Sequence, residues 1–301
     1  MTDHASDIPD DGPLAGLLTA LDPTDTGART SEDISTGPSQ WMPMGRVFGG
    51  QVLAQSLVAA MRTTDPERRP HSMHGYFLRP GDVTKPITFS VDRIHDGRSF
   101  STRRTQAYQD GRPILSMIAS FQDADEGLEH QAPMPEGIPE PESLPSARDV
   151  LSRIDHPVAA HWANDRPFDM RHVEQPVYFG AAPERVAHQA VWIRAIGRLP
   201  DDPAVPGRSP PSARDYSILE SIYRRHGLSW ATPGIKAASL DHAMWFHRFG
   251  RADEWMLYVQ ESTSAQGGRG LSLGRIYSRD GVLLASVAQE GMVRVPLADR
   301  A

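Results

Sequence analysis

The stretch PITFSVDRIHDGRSFSTRRTQAYQDGRPILSMIASFQ, residues 86–122, contains three strand-forming runs separated by Asp-Gly pairs at 96–97 and 110–111. An Asp-Gly pair between alternating apolar and polar residues is a strong signal for a tight hairpin. The stretch therefore predicts a three-stranded antiparallel meander. Just upstream, HSMHGYFLRPGD (71–82) predicts one further strand, which ends at its Pro-Gly pair.

A helix is predicted before these strands. The segment FGGQVLAQSLVAAMRTT (48–64) starts with two glycines and repeats apolar residues at helical spacing, with Leu53, Leu57 and Ala60 on one face. The first half of the chain is thus predicted to be one helix followed by a long antiparallel sheet.

The second half repeats this order. It contains strand-forming runs around a helical pattern that begins after a Pro-Pro pair and closes with His-Gly. In chain order the segments are HQAVWIRAIGRL (188–199), PPSARDYSILESIYRRHG (210–227), KAASLDHAMWFHR (236–248), EWMLYVQESTSA (254–265), GLSLGRIYSRDG (270–281) and VLLASVAQEGMVRV (282–295). An Asp-Gly pair at 280–281 predicts another hairpin.

Short motifs align between the two halves. YFLR (76–79) matches WFHR (245–248), and DGRPILS (110–116) matches DGVLLAS (280–286). The spacing between the paired motifs differs by one residue, which indicates an internal repeat. A helix wrapped by a curved antiparallel sheet, given twice in tandem, is an α+β double hot-dog.

The repeat divides the chain into four parts. We expect a polar N-terminal extension at 1–40, a first hot-dog at 41–122, a Pro/Glu-rich linker at 123–167 and a second hot-dog at 168–301. Within the linker, SARDVLSRI predicts a short helix.

Composition limits the classes of function. The 301-residue chain is 39% hydrophobic, enough for a sizeable core, and its formal charge of −7 disfavours nucleic-acid binding. It has no cysteine, which excludes disulfides, thiolate metal sites and a cysteine nucleophile. No metal-ligand spacing is present. We expect no membrane span, because the sequence has no long apolar run. We expect a cytoplasmic location, because the N-terminus is acidic and the C-terminus carries no peroxisomal tripeptide.

Several long segments resemble the acyl-CoA thioesterase II family. They lie between residues 46 and 291 and are RVFGGQVLAQSLVAA (46–60), HSMHGYFLRPGD (71–82), DGRSFSTRRTQAYQDGRPI (96–114), ASFQ (119–122), SLDHAMWFHR (239–248), ESTSA (261–265) and GVLLASVAQEG (281–291). The resemblance implies hydrolysis of acyl-CoA to fatty acid and CoA, with no cofactor because CoA is part of the substrate. It also implies a homodimer or homotetramer.

The same resemblance implies three catalytic residues that hold a nucleophilic water. They are Asp215, Ser239 and Gln289. Some family members have Thr where this chain has Ser239. Asp215 also fits a helix capping box that starts at Ser212, and a helix start favours a carboxylate in either role. In the aligned repeat Gln289 falls on Ala119, which predicts one active half and one degenerate half.

The polar residues beside Ser239 have a structural interpretation. In a regular strand Ser239 and Asp241 share one face, while Leu240, His242 and Met244 lie on the other. We therefore expect Asp241 and His242 to support the site rather than to carry the chemistry.

Six positions are candidates for substrate binding. Gly49 and Gly50 allow backbone N–H groups at a helix start to approach a ligand, or serve close packing of helix on sheet. Arg46 and Arg79, and with less support Arg103 and Arg104, are candidates for contacts with CoA phosphates, the alternative being a solvated face.

Other functional classes remain open alternatives. A hot-dog hydratase or dehydratase requires an Asp-His pair beside an enoyl thioester, and Asp241-His242 is such a pair, but adjacent strand residues point to opposite faces. A non-catalytic acyl-CoA-binding protein would not need Asp215, Ser239 and Gln289. A serine hydrolase would carry a Gly-x-Ser-x-Gly elbow at a turn from a strand into a helix; GLSLG (270–274) has this pattern but lies inside a strand-forming run.

Overall fold

The fold is described from a computed structural model. The structure describes residues 12–25, 32–43, 45–199 and 217–296. The predicted capping box at Ser212 and Asp215 lies outside the described residues.

Five α-helices and thirteen strands are described, with one short 3-10 helix at Pro141–Ser143. In chain order they are α1 (Pro13–Ala20), β1 (Thr24–Asp25), β2 (Asp33–Gly37), α2 (Gly49–Met61), β3 (Arg69–Phe77), β4 (Ile87–Asp96), β5 (Phe100–Gln109), β6 (Arg112–Gln122), α3 (Ala147–Leu151), α4 (Pro157–Asn164), β7 (Phe168–His172), β8 (His188–Ala195), α5 (Glu220–His226), β9 (Lys236–Ser239), β10 (Asp241–Phe246), β11 (Met256–Gln266), β12 (Arg269–Ser278) and β13 (Leu283–Arg294).

All thirteen strands belong to one sheet. Its order is β1-β2-β4-β5-β6-β3-β10-β13-β12-β11-β8-β7, and β9 also pairs with β13. The two halves meet at the antiparallel pair β3–β10, where Met244 lies opposite Met73. Backbone hydrogen bonds thus continue from one half into the other.

Each half wraps its sheet around one helix. Helix α2 packs against β3 to β6, and α5 packs against β8, β11 and β12. Nearly all of α2 is buried, including Leu53 and Leu57, as its apolar pattern predicts. The expected tandem hot-dog of class α+β is confirmed.

The Asp-Gly hairpins form as predicted. Asp110 and Gly111 both have positive φ, 50° and 69°, which suits a two-residue turn between β5 and β6. Gly281 has φ 84° in the turn between β12 and β13. The linker helix is also confirmed as α3, where Ser146 and Asp149 form a capping box.

The prediction of one continuous strand over 236–248 is wrong, because the segment is divided into β9 and β10 at Leu240. Ser239 lies opposite Gly291 of β13, whereas Ala243 lies opposite Ala288. Between these two pairs, the three residues 240–242 face only two residues of β13, 289–290. The extra residue is a β-bulge, which shifts the register by one and re-aims side chains.

Residues 123–140 cross the outside of the second half. Met134 and Ile138 pack on a small apolar cluster that contains Trp192 and Tyr277. The Trp192 indole donates to the Pro139 carbonyl at 2.9 Å, and the Tyr277 hydroxyl donates to the Pro133 carbonyl at 3.0 Å. These contacts hold the proline-rich segment against the sheet.

Two buried glutamines of α2 bind the segments that precede it. The Gln51 and Gln55 side-chain amides each donate to the Pro38 carbonyl at 2.9 Å, and Gln55 also donates to the carbonyl of Ala20. In the first half, polar groups on the central helix therefore serve packing.

Candidate active site

The bulge at Leu240 brings two side chains of one segment to the same partner. In a regular strand Ser239 and His242 would lie on opposite faces, because they are three residues apart. With the extra residue, both side chains reach Gln289 on β13. The expectation that Ser239 and His242 face opposite ways is therefore wrong.

Gln289 is held by a hydrogen bond at each end of its amide. Its Nε2 donates to the Ser239 Oγ at 3.0 Å, and its Oε1 lies 2.6 Å from the His242 Nδ1. Gln289 is 1% exposed and His242 is 4% exposed. A buried amide with both ends bonded has a fixed orientation.

Asp241 supports the bulge itself. Its carboxylate accepts the backbone N–H of Glu290 at 2.7 Å, and the Leu240 N–H donates to the Glu290 carbonyl at 2.9 Å. Asp241 and His242 therefore act on different partners. This arrangement does not place an Asp-His pair on one substrate carbon, as a hydratase requires.

Ser239 lies in the wall of an apolar cavity of about 270 Å³. Both halves contribute to this cavity, since Gly49 at the start of α2 also lines it. The remaining wall is mostly apolar and aromatic and includes Met42, Phe48, Val158, Trp162, Leu219, Trp230 and Ala238. A site of this kind suits an apolar group next to a few polar atoms.

A second cavity of about 370 Å³ also contains Ser239 and Gly49. Arg79 lines this cavity, and Arg46 lines both. Both arginines are exposed, and the Arg79 guanidinium donates to the Pro113 carbonyl at 2.8 Å. The structure thus places two cations at the mouth of the space that Ser239 faces.

The start of α2 carries no side-chain cap, because its N-cap residue is Phe48. Its first N–H groups therefore have no partner from a capping side chain. A Cβ on Gly49 would approach the Phe77 ring to 2.8 Å, and a Cβ on Gly50 would approach the Phe48 ring to 2.6 Å. Gly50 is buried and lines neither cavity, so its described role is packing.

The other two arginines do not reach this space. Arg103 is 1% exposed and donates to Thr63 at 2.8 Å and to Asp96 at 2.7 Å, so it is not available to a phosphate. Arg104 is paired with Asp92 at 3.0 Å. Both belong to the sheet of the first half.

Asp215 lies outside the described residues, which resume at Ser217. Two glutamines hold Ser217: the Gln260 Nε2 donates to its hydroxyl at 2.7 Å, and the Gln189 Nε2 donates to its carbonyl at 3.1 Å. Sequence reasoning missed these glutamines, because single Gln residues inside strands carry no recognisable signal.

A buried carboxylate, Glu220, was also missed. It is 1% exposed and accepts from the Trp230 indole at 2.8 Å and from Gln189 at 3.1 Å, with His172 at 3.3 Å. Burial is the largest influence and raises the pKa of Glu220, but these hydrogen bonds and the His172 charge together hold it below its usual range. Glu220 thus orients Trp230 in the cavity wall.

The described residues include no group of three or more His, Asp or Glu side chains that could hold a metal ion. Among the described helices, none has the length and apolar character needed to cross a membrane.

Comparison with known proteins agrees with the tandem hot-dog fold described above. Residues 160–292 match the family model described as acyl-CoA thioesterase, and residues 38–122 match the one described as acyl-CoA thioesterase N-terminal domain. Acyl-CoA thioesterase 2 of Haemophilus influenzae is 36% identical over 267 residues, which are 87% of this chain and 92% of that protein. Human acyl-coenzyme A thioesterase 8 is 36% identical over 276 residues, 88% of this chain and 85% of that protein.

Solved structures show the same fold. A crystal structure of an acyl-CoA thioesterase II from Mycobacterium marinum aligns with a TM-score of 0.75 at 39% identity, covering 94% of this chain and 99% of that one. The two matched family models lie on the two halves of the sheet, and the full-length relatives span both. The chain therefore belongs to the acyl-CoA thioesterase family and is a thioester hydrolase.

Proposed function

We propose that this enzyme hydrolyses medium- or long-chain fatty acyl-CoA to free fatty acid and CoA. The water that attacks the thioester is held by Asp215, Ser239 and Gln289, and no covalent acyl-enzyme forms. The observation that carries the proposal is the hydrogen bond from the Gln289 amide to Ser239, at the wall of an apolar cavity.

The three residues have distinct tasks. Asp215 is the general base that takes a proton from the water, a role worth about 10²–10⁴-fold in rate. The Ser239 hydroxyl orients that water, because a hydroxyl both donates and accepts. The Gln289 N–H groups point toward the same place, where they can donate as negative charge develops on the thioester oxygen.

The first half supplies substrate-binding groups. Gly49 lines the cavity together with residues of the second half, and the start of α2 presents backbone N–H groups and the positive end of its dipole to the thioester. Arg46 and Arg79 at the mouth of the cavities bind the phosphates of CoA. Gly50 keeps the helix start close to Phe48.

The test is thiol release from a panel running from acetyl-CoA to stearoyl-CoA. The chain has no cysteine and so adds no thiol background. We expect turnover by the wild type and a loss of about 10²-fold or more in Asp215→Asn, at unchanged thermal stability. Full turnover by Asp215→Asn would refute the assignment of the base.

Three further measurements test the alternative functions and the direct attack of water. No thiol release by the wild type, together with hydration of enoyl-CoA, would establish the hydratase instead. Binding of acyl-CoA without turnover would establish the non-catalytic protein. An acyl adduct in the intact mass after rapid quenching would contradict the direct attack of water.

The homodimer or homotetramer stays a prediction. The central strands of the sheet expose four large apolar side chains, Tyr76, Ile118, Trp245 and Leu273, by 62%, 47%, 39% and 41%, and exposed apolar surface is typical of an interface where it forms a patch. Light scattering of the purified protein gives the number of chains.

The cytoplasmic location is likewise a proposal, which cell fractionation tests.

A further inference from the structure

The bulge at Leu240 gives Gln289 a second partner that the proposed chemistry does not use. His242 is buried at 4% exposure, on the inner side of β10, with its Nδ1 2.6 Å from the Gln289 Oε1. The opposite end of the same amide donates to Ser239 at 3.0 Å. Two hydrogen bonds thus connect the His242 imidazole, the Gln289 amide and the Ser239 hydroxyl in that order.

The direction of these hydrogen bonds follows from their chemistry. A carbonyl oxygen only accepts, so the His242 Nδ1 carries a hydrogen and donates to Gln289. The amide NH₂ group is thereby turned toward Ser239. If the amide turned by half a rotation, its oxygen would face Ser239 instead, and the N–H groups would no longer point at the reacting atoms.

Resting on the proposed function, we infer that His242 is a positioning residue for catalysis, which acts through Gln289. It fixes the orientation in which the Gln289 amide donates to Ser239 and to the developing oxyanion. Its contribution therefore exists only while Gln289 is present. His242 itself takes no proton from the water and forms no bond to the substrate.

The test is a double-mutant cycle with His242→Leu and Gln289→Ala, read out as kcat and KM for thiol release. A pair that acts as a unit is non-additive. We expect His242→Leu to lower kcat by about 10-fold or more, since a fixed donor is worth about 10²–10³-fold. In the Gln289→Ala background, His242→Leu should lower kcat no further, and KM should change less than kcat throughout.

His242→Asn is the matched control, because its amide N–H replaces the Nδ1–H. It should recover most of the kcat that His242→Leu loses, which a purely structural role would not explain. Wild-type kcat in His242→Leu, or equal kcat losses from this change in both backgrounds, would overturn the inference.

The outcomes separate this inference from the proposed function. Full turnover by Gln289→Ala would refute both. A loss in Gln289→Ala without a loss in His242→Leu would refute only the role of His242. Should His242→Leu fail to fold, nitrogen-15 NMR of histidine-labelled wild type decides, since a neutral His242 protonated at Nε2 would overturn the inference.

Discussion

Asp241 and Glu290 hold the bulge in register: the Asp241 carboxylate accepts the Glu290 backbone N–H at 2.7 Å. Removing the acceptor in Asp241→Ala leaves this N–H without its partner, which costs about 1–3 kcal/mol. We expect a lower free energy of unfolding in urea and a lower kcat, because Ser239 and Gln289 then lose their fixed spacing. Asp241→Asn keeps an acceptor oxygen and should lose less of both. Equal stability of Asp241→Ala and wild type would contradict this role.

The hydroxyl of Ser239 is expected to matter more than its size. Ser239→Ala should lower kcat for thiol release by about 10²-fold, because the water and the Gln289 amide both lose a partner. Ser239→Thr keeps the hydroxyl and restricts its rotamer, so it should stay within about tenfold of wild type. If alanine and threonine gave the same kcat, the hydroxyl would have no part in the reaction.

Arg46 and Arg79 are expected to act on binding. Arg46→Ala and Arg79→Ala should each raise KM about tenfold with little change in kcat, because charge-assisted contacts with phosphate are made equally in the ground and transition states. Arg153→Ala is the control, since Arg153 is exposed and lines neither cavity. A KM effect as large in the control would point to general charge rather than to a phosphate site.

Glu220 makes the stability depend on pH. Its pKa in the folded protein is held below the ordinary value of 4.5, so its contribution is present above that pH and is lost as the pH falls through the lower folded value. The free energy of unfolding of wild type should therefore fall steeply below about pH 4.5, whereas Glu220→Gln should show a shallower fall. If the free energy of unfolding of wild type and of Glu220→Gln fell in parallel with pH, Glu220 would not be the source of the pH dependence.

The two glycines at the start of α2 differ in what they face. Gly49→Ala and Gly50→Ala each push a methyl against a phenylalanine ring, and overpacking of this kind costs about 1–3 kcal/mol. Only Gly49 lines the cavity. We expect similar losses of stability by thermal melting, but a larger fall of kcat/KM in Gly49→Ala. Equal kcat/KM values would mean that both glycines serve packing alone.

The parts of the fold that follow local rules could be predicted from the sequence. The meander over 86–122 depends on Asp-Gly turn chemistry between neighbouring segments, and α2 depends on its own apolar spacing. The bulge at Leu240 could not be predicted, because it depends on how β9 and β10 both pair with a strand some fifty residues away. The burial of Glu220 is set by tertiary contacts that no local pattern records.

Strands β3 and β10 join the two halves, and both halves contribute to the wall of the cavity. The first half provides the start of α2, and the second half provides Ser239. In the aligned repeat Ala119 takes the position of Gln289, so under the proposed mechanism the first half needs no amide of its own at this position. The glutamines on the central helix of the first half, Gln51 and Gln55, bind the segments that precede that helix. Under the proposed mechanism, the first half contributes binding groups and the second half contributes the groups that hold the water, so two similar halves share one reaction site.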